Sequence, residues 1–203
     1  MGFRTTVTVA IFFVFTLIPA ARAQAPGNVT GQAASPPQEN DFNSLRERAT
    51  AGNAQAQFAL ANDYYNGVGI SQDYAQAVIW YDKSAGQGFA PAQNQLGNMY
   101  EHKFGVPRDY KRALAYYRSA VKQNYALAQY NLGEMYEDAV GVKRDYKQAL
   151  DWYRKAANQN LPQAEKQVGY FYQCGYGTKQ DFAQAHSWYV RRSEERRVGK
   201  ECR

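Results

Sequence analysis

Residues 126–157 read ALAQYNLGEMYEDAVGVKRDYKQALDWYRKAA. Ala128, Leu132 and Tyr136 are four apart and so share one helix face. Gly141 interrupts the pattern and Asp145 follows it. A second apolar-periodic run, from Ala149 to Ala157, then completes a helix–turn–helix unit. Moved by 36 positions in either direction, the same stretch lands on copies of itself. Asp73, Asp109, Asp145 and Asp181 share one column, and Gly69, Gly105, Gly141 and Gly177 another. Ala77, Ala113, Ala149 and Ala185 form a third, and Trp80-Tyr81, Tyr116-Tyr117, Trp152-Tyr153 and Trp188-Tyr189 a fourth. All 17 tyrosines fall between Tyr64 and Tyr189.

Each copy is expected to hold a helix A, residues 54–66 in the first, and a helix B, residues 73–87. The Gly column supplies the left-handed residue of the connector. The Asp column caps helix B, and Gln76, Gln148 and Gln184 stand where a capping box would place them. The column Ala61, Gly97, Gly133, Gly169 is always small, which is expected to let another helix backbone approach. One such pair cannot bury both apolar faces, so neighbouring copies must complete each other's core. The predicted fold is all-α: an α-α superhelix, or solenoid, of four 36-residue helix-turn-helix repeats at 54–89, 90–125, 126–161 and 162–191.

The flanks differ in kind. Residues 1–23 carry Arg4, an apolar stretch from Val7 to Ile18 and a small-residue pattern at Ala21 and Ala23. This predicts a signal peptide cleaved after Ala23, a secreted or periplasmic protein, and no stable membrane span after cleavage. Residues 24–40, rich in Pro, Gly, Ser and Gln, are expected to be a disordered linker. Residues 41–53 align with the second half of a repeat and are expected to be a capping half-repeat. Residues 192–203 break the periodicity and resemble an adapter sequence translated in frame, so they are expected to be a non-native tail. No closing helix follows the fourth copy, which predicts an exposed apolar end.

Mean hydropathy is −0.66, which excludes a multi-span membrane protein. Two cysteines exclude a disulfide-rich scaffold. Of the formal net charge of +6, Arg4 and Arg22 carry two units and the last twelve residues a net two. The near-balance of the remainder gives no case for nucleic acid.

The pattern A-x-A-Q-x-x-L-G-x-M-Y-x-x-x-x-G-V-x-x-D-Y-x-x-A-x-x-W-Y-x-K-A-A, spelled by Ala126 to Ala157, resembles the Sel-1-like repeat family, a relative of tetratricopeptide repeats. The resemblance covers about residues 41–191. It implies an α-solenoid and an adaptor role. Some secreted members carry a disulfide in every repeat; this chain has no such cysteine pairs.

In such arrays helix A lines the concave side. With the 56/60/64 face given to the core, the residues left for a protein or peptide partner are Phe58, Asn62 and Tyr65 in the first copy. Asn94, Asn98, Glu101 and His102 follow in the second, Tyr130, Glu134, Glu137 and Asp138 in the third, and Lys166 and Tyr170 in the fourth. These columns vary while the core columns do not. A solvated face would vary in the same way, but the aromatics favour an interface. Glu134, Glu137 and Asp138 suggest a partner with a basic segment.

Catalytic chemistry finds little support. Ser119-Ala-Val-Lys122 matches the Ser-x-x-Lys pattern, but no Ser-Asp-Asn or Lys-Thr-Gly accompanies it. His102 and His186 lie in different repeats, and Cys174 ends a helix beside Gly175. The expectation is a binding module with no catalytic residue, metal or cofactor. The alternatives are a hydrolase of the β-lactamase or cell-wall type, or a structural subunit of an envelope complex.

Overall fold

The computed structural model describes residues 38–201, with side chains from Phe42 to Arg191. The expected signal peptide at residues 1–23, nearly all of the expected linker, the side chains of residues 192–201, and Cys202 lie outside the described residues. Among the described residues there are nine helices: α1 (Gln38–Thr50), α2 (Ala54–Asn66), α3 (Tyr74–Gly86), α4 (Ala90–His102), α5 (Tyr110–Val121), α6 (Ala126–Asp138), α7 (Tyr146–Ala157), α8 (Pro162–Cys174) and α9 (Phe182–Glu201). Helices α2, α4, α6 and α8 are the A helices of four helix-turn-helix repeats, and α3, α5, α7 and α9 the B helices. The architecture is the all-α solenoid expected.

The helix starts follow from the Asp column. Asp73 and Asp145 accept bonds from the amides of Gln76 and Gln148, and Asp109 from those of Lys111 and Arg112. The capping-box expectation fails. The Asp amide that a Gln would have to accept from is already committed: Asp73 N donates to Tyr64 O at 2.8 Å, and Asp145 N to Tyr136 O at 3.0 Å. Gln148 instead donates to the Asp145 carboxylate.

The connector glycines adopt positive φ, 69° at Gly105 and 65° at Gly177. They also meet the preceding repeat. A Cβ at Gly141 would stand 2.6 Å from Tyr110 Cβ, and one at Gly105 2.6 Å from the Tyr74 carbonyl carbon. A Cβ at Gly69, in the first copy, would meet nothing within 4 Å.

The small-residue column has a different cause from the one expected. The atoms nearest to a Cβ at Gly97, Gly133 or Gly169 are not those of a helix backbone. Instead the tyrosine ring of helix B lies over it, so that a Cβ at Gly133 would stand 2.6 Å from Tyr153 Cε1. Tyr81, Tyr117 and Tyr153 are thereby completely buried.

Within each of the first three repeats, a buried or nearly buried glutamine that sequence reading missed also ties helix A to the turn after helix B. Gln57, Gln93 and Gln129 on helix A accept bonds from Gln87, Gln123 and Gln159 at the turn after helix B, at 2.7–2.9 Å. In the fourth copy the buried Glu165 takes this column and pairs with Arg191 Nε at 3.3 Å.

Helix α1 starts at Gln38, inside the stretch expected to be linker, and packs on α2. Beyond Arg191 the α9 backbone stays helical to Glu201 instead of ending. The inter-repeat turn needs a residue tolerant of positive φ, as at Gly52, Gly88, Asn124 and Asn160. Position 196 offers Arg, so nothing there favours a turn. Helix α9 keeps aromatic side chains exposed: Phe182 is 65 % and Tyr189 36 % exposed, whereas Tyr153, the equivalent of Tyr189, is fully buried.

Candidate protein-binding face

The helix-A face is built by helix B. Each buried tyrosine passes over the small residue of its partner helix and presents its hydroxyl on the far side. Tyr81 Oη bonds Asn62 Oδ1 at 2.6 Å. Tyr117 Oη lies 2.6 Å from Asn98 Oδ1 and 2.7 Å from Glu101 Oε2. Tyr153 Oη donates to Glu137 Oε2 at 2.6 Å. Burial and the neighbouring carboxylates push the Tyr117 and Tyr153 phenols far up, so both remain donors.

A second set of contacts joins the copies. Asn131 Nδ2 donates to Asn94 Oδ1 at 2.9 Å and approaches Asn98 Oδ1 at 3.3 Å. Gln167 Nε2 donates to Glu137 Oε2 at 3.1 Å. Asn131 and Gln167 were not among the expected site residues. Their column, with Gln95, is polar in three of four copies, and that was the available signal.

The expected residues divide accordingly. Asn98, Glu101, Tyr130, Glu134, Glu137 and Asp138 are brought into one neighbourhood across the second and third copies. Glu134 is pushed up to about 7, first by burial, then by Glu101, Asp138 and Glu137, while a bond from Tyr130 acts against the shift. Asn94 must be corrected: only 3 % exposed, it is held inside the amide network and faces no partner. Phe58 is half-buried against Phe89 and Tyr81, and Tyr65 against Tyr74 and Phe104, so neither stands out as an anchor. His102 is exposed at the end of α4, 6.0 Å from Phe104. Tyr170, 39 % exposed, packs on Tyr176 at the far end. Tyr130 and Lys166 share an open groove of about 670 Å³ with Leu161, Pro162, Gln163 and Gln167.

The Ser-x-x-Lys serine lies elsewhere. Ser119 Oγ donates to Ala115 O at 3.0 Å within its own helix. Among the described residues no group of three or more His, Cys, Asp or Glu could hold a metal ion.

The Sel1 repeat family model matches residues 54–89, 90–125, 126–161 and 162–191, about two thirds of the chain. The chain belongs to the Sel1 repeat family. Among solved structures it is similar to a protective antigen of uropathogenic Escherichia coli displaying an SLR fold, with 35% identity and a TM-score of 0.72. That match covers 76% of this chain and 33% of the other, so this Sel1 chain spans about a third of that relative. A Sel1 repeat protein from Oxalobacter formigenes is 29% identical with a TM-score of 0.69, covering 76% of this chain and 69% of its own. No curated protein matches the sequence. Sel1 repeats generally serve as scaffolds for protein–protein interaction.

Proposed function

We propose that this Sel1 protein binds another protein or peptide on the concave, helix-A face of its array, outside the cytoplasm and without catalysis or cofactor. The observation that carries the reading is the convergence of Glu101, Glu134 and Glu137, two of them fixed by the Tyr117 and Tyr153 hydroxyls. Carboxylates held by buried donors are pre-organised, so a partner's lysine or arginine meets them with little ordering cost. The groove beside Tyr130 extends the surface and offers aromatic and amide contacts. The partner segment is therefore basic. The secretory reading rests on residues 1–23, and the description of the E. coli relative as a protective antigen accords with it.

The test compares wild type with Glu134→Lys/Glu137→Lys as bait for envelope proteins of the source cell. Proteins captured by wild type and lost with the variant are the expected result. An identical set of captured proteins would refute the acidic surface as the binding site. Mass spectrometry of the mature protein should begin at Gln24; a chain retaining residues 1–23 would remove the secretory reading.

A further inference from the structure

The charge of the array is unevenly placed. The connectors and first turns of helix B form one edge of the repeats. In the first copy that edge, residues 67–76, has no basic residue, and in the fourth, residues 175–184, Lys179 is balanced by Asp181. In the middle copies it carries Lys103, Arg108, Lys111 and Arg112, then Lys143, Arg144 and Lys147, against Asp109 and Asp145. Both acids are spent on the fold: Asp109 accepts from two backbone amides, and Asp145 from the Gln148 amide and side chain. Among the described residues, Arg112 is the one basic group of this set in an ion pair, with Asp109 at 3.5 Å.

The two arginines at equivalent positions are also positioned. Arg108 Cζ lies 5.8 Å from the Tyr110 ring and Arg144 Cζ 5.8 Å from the Tyr146 ring. A guanidinium laid on a ring keeps its planar fork of donors in one orientation. Next to Arg144 an open groove of about 470 Å³ is lined by Tyr136, Val142, Lys143, Asp145 and Gln148.

We infer that this edge is a second interaction surface, separate from the helix-A face, and that it takes an acidic polypeptide segment. Charge complementarity calls for an anionic partner. The nature of the groove selects among anions. A lipid headgroup layer is flat and would not enter it. Nucleic-acid bases need open ring faces for stacking, whereas the Tyr110 and Tyr146 rings already carry Arg108 and Arg144. A peptide can place carboxylates on the arginine forks and a side chain between Tyr136 and Val142.

The probe is a fluorescently labelled oligoglutamate peptide, followed by anisotropy at low salt, with oligothymidylate of equal charge and phosphatidylglycerol-containing vesicles in parallel. The peptide is expected to bind, and Arg108→Glu/Arg144→Glu/Lys147→Glu to weaken it roughly tenfold or more. Lys155→Glu, which changes a lysine stacked on Trp152 away from this edge, should leave binding within about twofold of wild type. Circular dichroism must show the triple variant folded; if it does not, Arg144→Glu alone is read in the same assay. Absent binding, or binding unchanged by the charge reversals, overturns the surface. Oligothymidylate or vesicles binding as tightly as the peptide overturns the assignment to a polypeptide.

Discussion

Tyr153 rises from α7, crosses the helix-A backbone at Gly133, and bonds Glu137 Oε2 at 2.6 Å. One side chain thus ties the core of a repeat to its outer face. The relationship accounts for a glycine at this helical position in three of the four repeats despite its poor helix propensity, Ala61 standing under Tyr81 in the first. Gly133→Ala would gain propensity but drive a methyl into a completely buried ring. The expected net effect is a loss of about 1–3 kcal/mol, the range for overpacking, read from urea denaturation. Gly133→Ala/Tyr153→Leu should recover part of that loss.

Glu134 gives a pH dependence of definite sign. Its folded-state pKa is raised from 4.5 to about 7, so between those values the folded chain holds a proton that the unfolded chain has released. The contribution of this group to stability is therefore fully present below about 4.5 and is lost as pH rises toward 7. Glu134→Gln should flatten that part of the stability profile, as measured by thermal melts across this interval. A slope unchanged by the substitution would contradict the placement of Glu134 among Glu101, Glu137 and Asp138.

Asp145 titrates in the opposite sense. Hydrogen bonds from the backbone amide and side chain of Gln148 hold its carboxyl below the usual 3.8. Its stabilising contribution is present above that value and disappears as pH falls through the lowered one. Asp145→Ala should lower the urea midpoint at neutral pH, and Asp145→Asn, which keeps an acceptor, should lower it less.

Two helix-A ends are closed by residues poorly suited to the conformation they adopt. Lys103 at φ 65° and Ala139 at φ 61° occupy the position held by Gly67 and Gly175 in the other copies. A left-handed non-glycine residue costs roughly 1 kcal/mol. Ala139→Gly should therefore raise stability by up to about 1 kcal/mol, seen as a higher melting temperature with unchanged helix content.

Period and small-residue identity made the repeats readable in advance. Ala128 and Leu132 could be assigned to the core because their spacing matches a helix face, and they are buried as that spacing requires. The site was less legible, for a physical reason. Side-chain spacing reports which way a residue leaves its own helix, but not what reaches it from another. Nothing along α4 shows that Asn94 will be claimed by Asn131 of the next repeat, or that Glu101 will be held by Tyr117. Gln57, Gln93 and Gln129 were passed over because a glutamine in isolation reads as surface; only their strict 36-residue recurrence marks them as an internal seam.

The exposed Phe182 and Tyr189 set α9 apart from the earlier B helices. Tyr189 lies over Gly169 as Tyr153 lies over Gly133, but Tyr153 is also met by Phe171 of the next A helix, at 5.3 Å between ring centroids, and is buried where Tyr189 is 36 % exposed. A further A helix offered to α9 would therefore find its aromatic seat already in place, since Phe182 and Tyr189 stand exposed where the earlier B helices are packed upon.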